Sequence, residues 1–206
     1  MKIMDLSVFP VGQFVYVKII TDEGLYGLGE ASLSGRNLAV VEALNHIKPF
    51  LIGEDATRIE YIWQDIFRGT FWRGGPVLQS ALAGIDIALW DLNGKALGVP
   101  VYRLLGGAAR DRVLVYRHSG GKTPEQLVET SQGLLENGWR VLRISPIDFL
   151  EHGFNHKLSI KNGFDHFAAL RSAVGDEVEI IFEAHTRLSP IRAVELCNAI
   201  EEFHPF

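Results

Sequence analysis

Two residues near the end of the chain have the types and spacing for chemistry. They are Glu183 and His185, in the run Ile180-Ile-Phe-Glu-Ala-His185 that leads into Thr186-Arg-Leu-Ser-Pro190. The apolar run reads as a buried strand ending in a carboxylate, with a helix start beyond it. Side chains two apart on a strand point to one face, so Glu183 and His185 are expected to converge. A carboxylate is a hard-metal ligand and an imidazole titrates near neutral pH, so the pair suits metal-assisted acid–base work. Each residue also has an ordinary explanation. A carboxylate at a strand end meets solvent or caps the next helix, and a single histidine is commonly structural. Arg143 and Ser145 have the same spacing on an earlier strand; an ion pair accounts for Arg143 about as well as a reactive role does. His118 closes a strand in Tyr116-Arg-His-Ser-Gly120 without an assignable role, and His152 and His156 fall in the loop 146–162.

Two kinds of element must position these residues. Residues 4–9 and 14–20 are β-rich, and Thr21-Asp-Glu-Gly24 is the hairpin loop before a third strand at 25–31. Three helical stretches follow. Residues 38–51 carry Val41, Leu44, Ile47 and Leu51 near helical spacing, residues 56–67 carry Ile59, Ile62, Trp63 and Ile66, and residues 77–97 are mostly apolar up to Gly98 and Pro100. After Leu104-Leu-Gly-Gly107 the pattern becomes a strict alternation of strands at 113–116, 140–144 and 178–183 with three helices. Thr123-Pro-Glu-Gln126 is a capping box for the first helix, Gly175 closes the second, and Ser189-Pro190 opens a third that runs to residue 203. Such alternation implies parallel βαβ units.

Composition narrows the function classes. The chain has 206 residues, 47% apolar and 22% charged, with a net charge of −5. These values fit an ordinary soluble globular protein and give no reason to expect nucleic acid or a membrane surface as partner. The single cysteine, Cys197, has no internal disulfide partner; on the apolar side of a helix it reads as a structural thiol in a reducing, cytoplasmic setting. No apolar run approaches the roughly 20 residues of a membrane span, and the mixed segment after Lys2 is not expected to be a signal peptide.

Four segments resemble the acid-sugar dehydratases of the enolase superfamily, in its mandelate racemase/muconate lactonizing enzyme branch. They are Arg68-Gly-Thr-Phe-Trp-Arg-Gly-Gly-Pro76, Ser80-Ala-Leu-Ala-Gly-Ile-Asp-Ile-Ala-Leu-Trp-Asp-Leu-Asn-Gly-Lys95, Pro100-Val-Tyr-Arg-Leu-Leu-Gly-Gly107, and Glu183-Ala-His185 with Arg187-Leu-Ser-Pro190. They are most similar to galactonate and mannonate dehydratases. The resemblance implies an α+β capping domain at residues 1–107, followed at 108–206 by the first three β/α units of a (β/α)7β TIM-like barrel, left incomplete. Family members place catalytic groups at the C-terminal ends of barrel strands. Three carboxylates on the third to fifth strands hold Mg2+, which stabilises the enediolate formed when a base removes the α-proton.

By this resemblance Glu183 takes the first metal position, where glutamate replaces the usual aspartate and reaches one methylene further. His185 matches the general acid on the departing β-hydroxyl. Arg143 and Ser145 stand where racemases and cycloisomerases carry Lys-x-Lys; serine cannot be that base, so those chemistries are not expected. An arginine there is similar to mannonate dehydratases, which pair it with a loop tyrosine. The loop 146–162 has none, leaving His152 or His156 as candidate bases. Arg36, in the loop 33–37, and Trp72 correspond to loops near the substrate and are the substrate-binding candidates. Solvation of Arg36 and packing of Trp72 between domains are the alternatives.

The implied activity is Mg2+-dependent dehydration of a small-molecule sugar acid. The second and third metal ligands would fall after Phe206. Mg2+ is therefore expected to bind weakly or not at all, and the 206 residues alone are expected to be inactive. The alternative is a non-catalytic truncated homologue, or one piece of a split or longer protein. Three parallel strands leave an uncovered edge and apolar inner faces, so self-association, or a second polypeptide that completes the barrel, is expected.

Overall fold

The computed structural model describes residues 1–147 and 155–206. It divides into two compact units, residues 1–111 and 112–206. In the first, β1 (Ile3–Val11), β2 (Phe14–Thr21) and β3 (Tyr26–Glu30) form an antiparallel meander in that order. Alternate residues Val15, Val17 and Ile19 of β2 are fully buried, as one buried sheet face requires. They pack with α1 (Asn37–Leu51), α2 (Ile59–Arg68) and the long α3 (Gly75–Leu97), which supplies Ile85, Ala88, Leu89 and Leu92. A short helix, α4 (Val101–Leu104), follows. β3 lies directly on the α3 backbone: a Cβ at Gly27 would sit 1.9 Å from the Ala88 oxygen, and one at Gly29 2.0 Å from the Gly84 oxygen. Only glycine permits that approach. α2 starts at Ile59 rather than at 56, because the Asp55 carboxylate accepts from the Thr57 N–H (3.0 Å) and hydroxyl (2.9 Å) and holds a turn first.

The second unit is a parallel sheet, β4 (Arg117–His118), β5 (Val141–Ile144) and β6 (Glu179–Phe182), in that order. Each strand is followed by a helix: α5 (Pro124–Glu136), α6 (His156–Val174) and α7 (Pro190–Ile200), with a 3-10 turn, Glu201–Phe203, after the last. Leu142, Ile144, Phe167, Leu170, Ile180 and Leu196 form its core. Arg171 is buried there, and its guanidinium donates to the carbonyls of Gly175, Val178, Phe203 and His204.

Three expectations are corrected. Residues 113–116 have strand composition but are exposed; the ladder begins only at Arg117 and His118, which pair with Leu142 and Arg143. The capping box is half displaced: Thr123 Oγ1 accepts from the Gln126 N–H (3.4 Å), but Gln126 Oε1 accepts from the Lys122 N–H (3.0 Å), one residue before the cap. Cys197 is exposed rather than a core thiol, because α7 buries Leu196 and Ile200, and Cys197 lies about 100° round the helix from Leu196.

Candidate active site

Three neighbouring strands each deliver one side chain to a shared cluster. The register pairs His118 of β4 with Arg143 of β5, and Arg143 with Ile181 of β6; Glu183 follows β6 directly. The Glu183 N–H still bonds to the Ile144 oxygen (2.8 Å), and Ser145 Oγ donates to the Glu183 carbonyl (3.0 Å), so the strand ends are tied together. Arg143 Nη2 lies 2.5 Å from Glu183 Oε2, and Arg143 Nη1 lies 2.9 Å from His118 Nε2. The Tyr116 ring is 5.7 Å from the guanidinium carbon.

His185 reaches the cluster by a route other than strand alternation. The strand ends at Phe182, and residues 184–187 form a tight turn closed by the Arg187 N–H on the Ala184 oxygen (3.0 Å). His185 (φ 49°) and Thr186 (φ 55°) are both left-handed there, which costs non-glycine residues about 1–2 kcal/mol each. The turn places the His185 N–H 2.6 Å from Glu183 Oε1. The Arg143 guanidinium, and then the His185 N–H, hold the Glu183 carboxyl below its usual range. Its charge is therefore fixed, and both oxygens are engaged.

The structure thus brings together Arg143, Glu183 and His185, and adds His118. Ser145 contributes through the Glu183 backbone. Two of the other sequence candidates, Arg36 and Trp72, belong to the first unit. Arg36 precedes α1, is exposed, and donates to the neighbouring Gly35 carbonyl (2.7 Å). Trp72 lies between α2 and α3, is 82% exposed, and packs edge-on against Phe71. It lines a cavity of about 370 Å3 with Ile47, Phe67, Leu78 and Leu82. His156 opens α6, and His152 lies outside the described residues.

A divalent cation needs several oxygen ligands in a fixed geometry. Among the described residues, no group of three or more His, Cys, Asp or Glu side chains could hold one. Glu183 is a single carboxylate already bound to Arg143 and the His185 N–H, so these residues do not by themselves fit Mg2+. Among the described residues, no helix is long and apolar enough to cross a membrane.

Residues 4–106 match the family described as mandelate racemase / muconate lactonizing enzyme, N-terminal domain. The chain is 39% identical, over 96% of its length, to the D-galactonate dehydratase family member RspA of Halomonas elongata, of which it covers 55%. It is 39% identical, over its whole length, to a D-mannonate dehydratase of a Sphingomonas species, of which it covers 58%. It therefore spans little more than half the length of these curated relatives. A crystal structure of an enolase from Pantoea ananatis, with bound D-gluconate and Mg, is similar at a TM-score of 0.88 and 33% identity, covering 99% of this chain and 58% of that one.

Proposed function

The chain belongs to the mandelate racemase/muconate lactonizing enzyme family of the enolase superfamily, and from that membership we propose that it carries part of an acid-sugar dehydratase site. The observation that carries this reading is the meeting of Arg143, Glu183 and His185 at the C-terminal ends of adjacent parallel strands, the face where such barrels do chemistry. The dehydratase names of the relatives support the reaction class, and the gluconate-bound structure supports an aldonate as substrate. In the reaction a base takes the proton from C2, the C2–H electron pair forms a C2–C3 double bond, and the C3–O bond breaks. His185, exposed on its turn, gives the departing hydroxyl the proton that turns it into water. Arg143 is the fixed cation that faces the anionic end of the substrate. Arg36 and Trp72 are the proposed substrate contacts of the first unit, and His152 or His156 the proposed base.

A second reading applies to the 206 residues taken alone: a non-catalytic homologue, or one piece of a larger assembly. The favouring observation is the saturated Glu183 carboxylate with no second metal ligand beside it. On this reading Mg2+ joins Glu183 only in company with further oxygen ligands, and the uncovered sheet edge takes a second copy or a second polypeptide. One experiment addresses both readings. The pure chain, and a fusion of residues 1–206 to the C-terminal remainder of the Sphingomonas relative, are incubated with D-gluconate, D-galactonate and D-mannonate, with and without EDTA. The expected result is 2-keto-3-deoxy acid from the fusion alone. Turnover by the pure chain would overturn the second reading, and an inactive but folded fusion would overturn the first.

A further inference from the structure

The first unit carries a group of polar side chains that has no part in the proposed reaction. Asp86 and Asn93 of α3 and Glu60 and Tyr61 of α2 line an open cavity of about 440 Å3, together with Trp90 and Arg58. Asp86 is half-buried and takes a hydrogen bond from the Trp90 indole. Its carboxyl is held above the usual range, first by desolvation and then by the Glu60 charge. A cation relieves two carboxylates that repel each other. Among the described residues neither of them forms an ion pair. Arg58, in the cavity wall, lies instead over the Tyr61 ring, 3.9 Å from its centroid. Two carboxylates against one guanidinium leave the cavity with a net negative charge.

Asn93 supplies an independent observation. It is 9% exposed, and its Nδ2 donates to the Ala56 and Leu89 carbonyls, both at 2.8 Å. Both partners can only accept, so the amide cannot be turned round. Among the described residues no group donates to its Oδ1, and that oxygen is not sealed from solvent. The cavity wall thus presents a fixed acceptor that is open to a donor. We propose that this cavity binds a monovalent organic cation with N–H donors, a guanidinium or a primary ammonium, held by Asp86, Glu60 and Asn93 Oδ1 beside the Trp90 ring. Such a ring also attracts a cation in its own right. A metal ion fits less well, because among the described residues no three His, Cys, Asp or Glu side chains gather to hold one. The bound cation offsets the repulsion that raises Asp86, so binding recovers what the unpaired charge costs.

The test follows the Trp90 indole N–H resonance of the 206-residue chain at pH 7. The chain is titrated with n-butylguanidinium, and with n-butylurea, which has a similar shape and no charge. The expected result is saturable movement with butylguanidinium, half complete at about 1 mM, and none with butylurea. Asp86→Asn should weaken binding about tenfold, the scale of one hydrogen bond to a charged group. Glu60→Gln, at an exposed position, should weaken it about threefold. Titration with an acetylated, amidated Gly-Arg-Gly tripeptide separates the sources. A matching midpoint identifies an arginine side chain of a polypeptide as the ligand, and no movement identifies a free small cation. Equal response to butylurea, no response to butylguanidinium, an unchanged midpoint in Asp86→Asn, or displacement by Mg2+ would each overturn the proposal.

Discussion

Replacing Arg143 with methionine should destabilise the second unit in a pH-dependent way. The Arg143 and Glu183 side chains are 16% and 32% exposed, between a surface pair and a buried one. Fully exposed pairs contribute about 0–1 kcal/mol, and removing one partner of a buried pair costs about 3–5 kcal/mol. The intermediate burial, with the added loss of the His118 bond, sets the expected cost at about 2 kcal/mol. For a chain of this size that corresponds to a fall in Tm of roughly 4–8 °C. The sign with pH follows from the lowered Glu183 carboxyl. A carboxylate with a depressed folded value contributes stability that is present above its unfolded value and lost as pH falls through the folded one. The deficit of Arg143→Met should therefore be full at pH 7 and shrink as pH falls below the usual glutamate value of 4.5. Thermal melts of both proteins across that range, with amide hydrogen exchange at β5 and β6 to localise the effect, measure it. An unchanged deficit in acid would show that packing rather than charge is lost. No deficit at pH 7 would show that the pair holds nothing.

Further outcomes follow from the same contacts. Gly29→Ala puts a Cβ 2.0 Å from the Gly84 oxygen; with backbone as the obstacle, β3 must leave α3, and a loss of about 3 kcal/mol or more in the first unit is expected by urea titration. Arg171→Met strands four carbonyls that share one guanidinium; about 3 kcal/mol should be lost, with hydrogen exchange accelerated first around the 3-10 turn. Asp86 is raised by desolvation and then by Glu60, so its charge opposes folding above its unfolded value. Asp86→Asn should raise Tm slightly at pH 7, on the scale of about 0.5 kcal/mol, with the gain vanishing in acid.

The helices α1 and α2 were readable because burial imposes their period: Leu44 and Leu51 of α1 and Ile62 of α2 are buried, together with Val40 rather than its neighbour Val41, while α7 was readable from its Ser189-Pro190 start. Strand propensity at residues 113–116 misled, since a strand exists only where a partner backbone lies beside it, and that begins at Arg117. The meeting of Glu183 with His185 was legible, but the means was not. Period-2 alternation was expected to aim both side chains, whereas a left-handed turn delivers a backbone N–H. The Arg143–Glu183 pair needs the order β4-β5-β6 and its register, neither of which a local pattern contains.

In the proposed reaction His185 protonates the leaving hydroxyl while another group removes the C2 proton. The direct measurement follows the active fusion and its His185→Asn variant in deuterated buffer, recording C2 proton exchange and water loss from the same aldonate. The predicted result is exchange close to that of the parent, with water loss slowed by about 100-fold or more, the usual contribution of a general acid. Equal loss of both steps, or of neither, would contradict it.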